Sequence, residues 1–181
     1  MVELETINLL VQIVSVSATA IAAVIGVSSY INANKRAEEA RKRELETRQA
    51  QLFMQVYSKW QDKEFNKSKH FVISYPIGSY EDYEEIWRDE EKASTFRVVG
   101  TFLEGLGVLV KRGLVEKGFV DDMMSGDIIG FWEKYGDVVR EERRRMNYPQ
   151  ALEWTEYLYN EVKPLSLRQH PELRKGGTLW S

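Results

Sequence analysis

The sequence predicts an all-α protein in which an N-terminal transmembrane helix continues as a long stalk helix into a cytoplasmic helical bundle. Three observations carry that expectation. Residues 7–31 contain no Asp, Glu, Lys or Arg. The next segment, KRAEEARKRELETRQAQ, is dense in strong helix formers and sets opposite charges at helical spacing, as in Glu39 with Arg43 and Glu44 with Arg48. Beyond it, apolar residues recur every three or four positions, the period of helices with one buried face.

The uncharged stretch reaches roughly 37 Å as a helix, enough to cross a hydrocarbon layer of ~30 Å with some tilt. A cleaved signal peptide would begin with a basic region and a shorter apolar core, whereas this chain begins with Glu3 and Glu5. Lys35, Arg36, Arg41, Lys42, Arg43 and Arg48 follow the span and no base precedes it, which predicts the amino terminus outside and the remainder in the cytoplasm. Inside the span, Ser15, Ala18, Ala22 and Gly26 share one helix face and form a candidate association surface, for a second copy or a helix of another subunit.

After the stalk, a stripe of Leu45, Leu52, Phe53, Val56, Tyr57 and Trp60 predicts that the same helix enters a globular body and breaks near Asp62. YPIGSY reads as a turn, with Ser79 and Asp82 as an N-cap pair before a short acidic helix. Ser94 is placed as the cap of a central helix whose Phe96, Val99, Phe102, Leu103, Leu106 and Val110 point inward until Gly113 ends it. A short helix over GFVDDMMSG, a longer one from Asp127 to about Arg145 with Ile128, Trp132, Gly136 and Val139 inward, and a last one opening at Pro149 complete the set. The resulting domains are an anchor (1–34), a charged juxtamembrane stalk (35–48), the helical body (49–162) and a basic tail (163–181).

Composition narrows the function classes. Of 181 residues, 43% are hydrophobic and the formal net charge is −3, with no cysteine. The absence of Cys removes any disulfide framework and any thiolate zinc site. Residues 49–162 carry 15 bases against 21 acids, so the body lacks the basic surface that nucleic acid requires, while the basic segments beside it suit anionic lipid headgroups.

TFLEGLGVLVKRGLVEKGFV and DIIGFWEKYGDVVREERRR, together with the apolar span and the entry helix TRQAQLFMQVYSKWQDKEF, resemble a family of small prokaryotic membrane proteins, the domain of unknown function numbered 4760. The resemblance covers most of residues 45–162 and implies a membrane-tethered helical domain. It brings no catalytic residue and no cofactor with it.

Within that region Glu104 lies in an otherwise apolar helix, with Gly100 and Gly107 a turn away on either side, so a second backbone can approach beside a carboxylate. Its expected role is a structural ion pair with an arginine of the REERRR segment, Arg140 or Arg143. The seven acids between Glu81 and Glu91, and DDMMSGD from Asp121, both lack the ligand alternation and closing Glu of a calcium loop. His70 and His170 have no second ligand at helical spacing, and no nucleophile elbow or phosphate-cradling glycine loop is present, so no metal, cofactor or catalytic residue is assigned.

The expected function is an interaction or accessory subunit held at the bilayer, as a homo-oligomer or within a membrane complex. A membrane-bound enzyme, which would need an enclosed pocket with convergent polar groups, and a lipid-surface sensor using the basic stalk are the alternatives.

Overall fold

A computed structural model describes the backbone of residues 2–171 and the side chains of residues 3, 9, 15–17 and 23–171. The described residues form six α-helices and no strand: α1 (Val2–Trp60), α2 (Lys63–Ser74), α3 (Tyr80–Arg88), α4 (Glu90–Lys111), α5 (Lys117–Met146) and α6 (Glu153–Gln169). The chain divides into two compact units, Met1–Arg48 and Gln49–Ser181.

In the first unit, every described side chain is exposed as far as Arg48. That includes Leu9, Val16, Val24, Ile25, Val27, Tyr30 and Ile31, each 47–69% exposed. The charged part is laced along its own surface: Arg48 meets Glu44 at 2.6 Å and Lys42 meets Glu46 at 3.9 Å. Of the expected association face, Ser15 and Gly26 are exposed, while the side chains of Ala18 and Ala22 lie outside the described residues.

The second unit is a helical bundle around α4. Phe53 and Trp60, from the last turns of α1, are buried, and Leu52, Val56 and Tyr57 pack against the core. Trp60 stacks obliquely on Phe102 of α4 with ring centroids 5.4 Å apart. Leu45, expected in the same stripe, is instead 55% exposed because it precedes the point where the body begins. Asp62 then caps α2, its carboxylate accepting the Phe65 amide at 2.9 Å, which confirms the expected break.

The expected Ser79–Asp82 pair is a reciprocal capping box at the start of α3. Amides of Gly78 and Ser79 donate to the Asp82 carboxylate, and these bonds hold its pKa below the ordinary value. The start of α4 corrects the expectation at Ser94. Asp89 ends α3 and caps α4 four residues after Glu85, accepting the amides of Glu91 and Lys92 at 3.1 and 3.2 Å. An ionised carboxylate shared by two orphan amides fixes the helix start a turn before the weaker hydroxyl is reached. Gly113, with φ +66°, follows the end of α4 as expected, and its carbonyl receives the Gln49 side chain at 2.6 Å.

The short helix expected over GFVDDMMSG is not separate: α5 runs unbroken from Lys117 to Met146. Gly126 costs about 1 kcal/mol relative to Ala in a helix. The buried stripe of Val120, Met124, Ile128, Phe131, Tyr135 and Val139 continues on both sides of it, and burial of that stripe outweighs the local preference. Pro149 does not open α6 but sits in the preceding turn, and Leu152 at φ 50° is the N-cap position. The end of the body moves too, since α6 runs past Lys163 to Gln169, so the expected basic tail starts inside a helix.

Among the described residues, α4 is long and apolar enough to cross a membrane, with mean hydropathy 1.3, but 44% of that window is buried inside the protein. Its inward residues, Phe96, Val99, Leu103, Leu106 and Val110, are the ones the periodicity predicts. A capped helix surrounded by α2, α3 and α6 satisfies its apolar face within the body.

Candidate functional site

Three helices and one loop of the body line a half-open cavity of about 550 Å3. The register of each helix explains its contribution. On α4, Phe96, Arg97, Gly100, Thr101 and Glu104 fall on one face; on α5, Phe131, Tyr135, Val139 and Glu142 share a face at spacings of four, four and three; on α3, Tyr83 and Trp87 are one turn apart. Tyr148, Gln150, Ala151 and Leu152 of the α5–α6 loop complete the lining.

The walls are aromatic. Tyr135 meets Phe131 at 5.1 Å and the edge of Phe96 at 5.4 Å, and Tyr83 meets Trp87 edge-on at 5.7 Å. The Tyr135 hydroxyl is used structurally, donating to the Val72 carbonyl at 2.6 Å. Burial and the Glu142 charge push the Tyr83 phenol up to about 12. Tyr80, beside it on α3, donates its hydroxyl to Glu142, and that bond raises its own pKa to about 12. Both phenols therefore stay protonated near neutral pH.

The loop over the cavity is conformationally costly. Asn147 (φ 49°) and Leu152 (φ 50°) are its two left-handed residues, and a left-handed leucine is strained. Arg143 restrains it by donating from Nε to the Ala151 carbonyl at 2.8 Å, while its Nη1 pairs with Glu156 on α6. Arg140 bonds the other oxygen of Glu156, at 3.2 Å from Nη2.

That arrangement replaces the ion pair expected for Glu104. Its Oε1 accepts the Thr155 amide at 2.7 Å and the Thr155 hydroxyl at 2.9 Å. Thr155 is the third residue of α6, whose N-cap Leu152 has no side-chain oxygen, so a carboxylate from α4 caps the helix across the interface. Arg140 and Arg143 go to Glu156 because it lies in the first turn of α6, within reach of both guanidinium groups. The expected close approach beside Glu104 does occur: a Cβ on Gly107 would lie 2.7 Å from the Trp154 carbonyl carbon, whereas one on Gly100 would meet Leu152 at 3.4 Å.

Glu104→Ala is expected to lower stability by about 1–2 kcal/mol, the usual worth of a helix cap, and Glu104→Gln by much less because an acceptor oxygen remains. Thermal melting monitored by circular dichroism measures both.

In the sequence Glu142 reads as one more surface charge of REERRR. The signal lies in the helical face of Phe131, Tyr135 and Val139, which position 142 shares at i+3 from Val139. Asp121, in a segment without calcium-loop spacing, is only 4% exposed, and burial followed by the Asp122 charge raises its pKa, with Ser125, His170 and Arg168 acting in the opposite sense. No group of three or more His, Asp or Glu able to hold a metal occurs among the described residues.

A family match, to a domain of unknown function (DUF4760), covers residues 13–162. The chain belongs to the DUF4760 family. The match begins inside the uncharged stretch and ends within α6, so it takes in part of the first unit together with all three helices that wall the cavity. Comparison with curated proteins and with solved structures returned no match. DUF4760 membership thus supplies a family and no chemistry, and the site must be argued from its own residues.

Proposed function

We propose that this protein is a membrane-anchored interaction or accessory subunit, which tethers its helical body to the cytoplasmic face of a bilayer or of a membrane complex. One observation carries the reading: the described large apolar side chains of this stretch, Leu9, Val16, Val24, Ile25, Val27, Tyr30 and Ile31, are exposed on a helix whose residues 7–31 carry no charge. A helix apolar all round is stable only when something apolar covers it, and a stretch of this length matches a hydrocarbon layer. The basic residues from Lys35 to Arg48 favour placement of the body in the cytoplasm and contact with anionic headgroups. The body holds a contiguous buried core of its own, which suits a module carried by a tether.

The face containing Ser15, Ala18, Ala22 and Gly26 is where a second copy or a foreign helix docks in this proposal, because small residues let helix backbones approach closely in lipid. Purification from native membranes at ordinary expression tests it. The wild type is expected to emerge with a second chain, its own or foreign, and the Ala22→Leu, Gly26→Leu double variant to emerge largely alone, with Val24→Leu as a control that behaves like the wild type. A solitary wild-type chain would contradict the accessory-subunit reading.

A further inference from the structure

We propose that the cavity between α3, α4, α5 and the α5–α6 loop binds an organic ammonium ion, a tertiary or quaternary amine carrying apolar substituents. Two half-buried carboxylates line it, Glu104 and Glu142. Neither has a cationic partner within ion-pairing distance among the described residues: Glu104 takes hydrogen bonds from Thr155, and Glu142 takes one from Tyr80. The neighbouring arginines form their ion pairs elsewhere, although Nη2 of Arg143 is buried without a hydrogen-bond partner and Arg145 lies over the Tyr80 ring at 4.0 Å. Arg140 and Arg143 go to Glu156, while Arg144 and Arg145 both go to Glu141 and draw its pKa down to about 2. The one cation in the lining, Arg97, has a 60% exposed side chain whose nearest carboxylate is Glu90, at 3.9 Å. The cavity lining therefore carries two half-buried carboxylates against one largely exposed guanidinium.

Its walls fix the kind of cation. A metal ion needs several converging oxygens, whereas here the carboxylates stand among aromatic rings. Trp87 and Tyr148 remain 41% and 55% exposed, although both are large and line the cavity, so ring surface is left open to a ligand. A cation over such rings gains from their quadrupoles, and its apolar substituents gain from leaving water. The volume of about 550 Å3 lies in the range of small-molecule sites. The strained Leu152 stands at the same cavity, as strained residues do where a loop clamps a ligand.

Titration calorimetry on the full-length chain in maltoside micelles, with three probes of one shape, decides this. The probes are choline, its uncharged isostere 3,3-dimethylbutanol, and the anion 3,3-dimethylbutanoate. Choline is expected to bind saturably and about ten-fold tighter than the alcohol, since a cation–aromatic contact at partly exposed rings together with a half-buried carboxylate is worth about one decade. Glu142→Gln, which retains an acceptor for Tyr80, should remove most of that advantage and leave the affinity for the alcohol unchanged. Trp87→Leu, at an exposed position, should weaken choline binding without altering the fold, and it decides the matter if the Glu142 variant fails to fold. Equal affinities for the three probes, preference for the anion, no saturable choline binding, or choline affinity untouched by either substitution would each overturn the assignment.

Discussion

Replacing Gly107 with leucine is expected to abolish the folded body. The backbone of α6 crosses α4 at this residue, and even the first atom of a side chain would sit 2.7 Å from the Trp154 carbonyl carbon. The obstacle is backbone at the start of a helix, held in place by the two hydrogen bonds from Thr155 to Glu104, so it cannot turn aside as a side chain would. Overpacking of a well-filled contact costs about 1–3 kcal/mol when rotamers can adjust, and more when they cannot. Gly107→Ala should therefore lose at least a few kcal/mol, a large part of the ~5–15 kcal/mol by which domains are stable, and Gly107→Leu should leave no cooperative melting transition. Gly105→Ala is the control: a Cβ there meets nothing within 4 Å, so its melting should equal or exceed that of the wild type.

The second large effect is expected at Asp127. Lys69 is 9% exposed, its ammonium 3.0 Å from Asp127 and 3.7 Å from the centroid of Trp60. Removing the carboxylate leaves a buried cation with an aromatic face as its remaining neighbour. Breaking a buried pair from one side costs about 3–5 kcal/mol, so Asp127→Ala should melt far below the wild type. Lys69→Met combined with Asp127→Leu should recover most of that loss, because two apolar groups of similar size need no compensation. Denaturant titration of the two variants compares them directly. A double variant as unstable as the single one would show that packing, and not the stranded charge, sets the cost.

These two sites mark the boundary of what sequence periodicity reveals. The inward stripe of α4, the Ser79 capping box, the break at Asp62 and the ending at Gly113 were legible because each depends on residues within one or two turns of each other. Gly107 was legible as a place for close approach, since a glycine beside a carboxylate in an apolar helix has few other uses. What packs there was not legible, because Trp154 and Thr155 lie some fifty residues away. The same distance hid the pairing of Lys69 with Asp127 and redirected Glu104 from an arginine to the end of a helix. Boundaries failed where a local signal competed with burial, as at Gly126 within α5, or with a stronger cap one turn earlier, as at Asp89. The cavity is hardest of all to foresee: its three helical contributions are each visible as a row of residues, but only the crossing of α3, α4 and α5 brings the rows together.

Protease treatment of sealed, right-side-out membrane vesicles tests the tether most directly, using the full chain with an epitope fused before Met1. The distribution of Lys and Arg around residues 7–31 predicts that the epitope is removed from outside while the body from residue 49 onward survives until the vesicles are opened with detergent. Digestion of the body in intact vesicles, or protection of both ends together, would contradict a single span with the body inside.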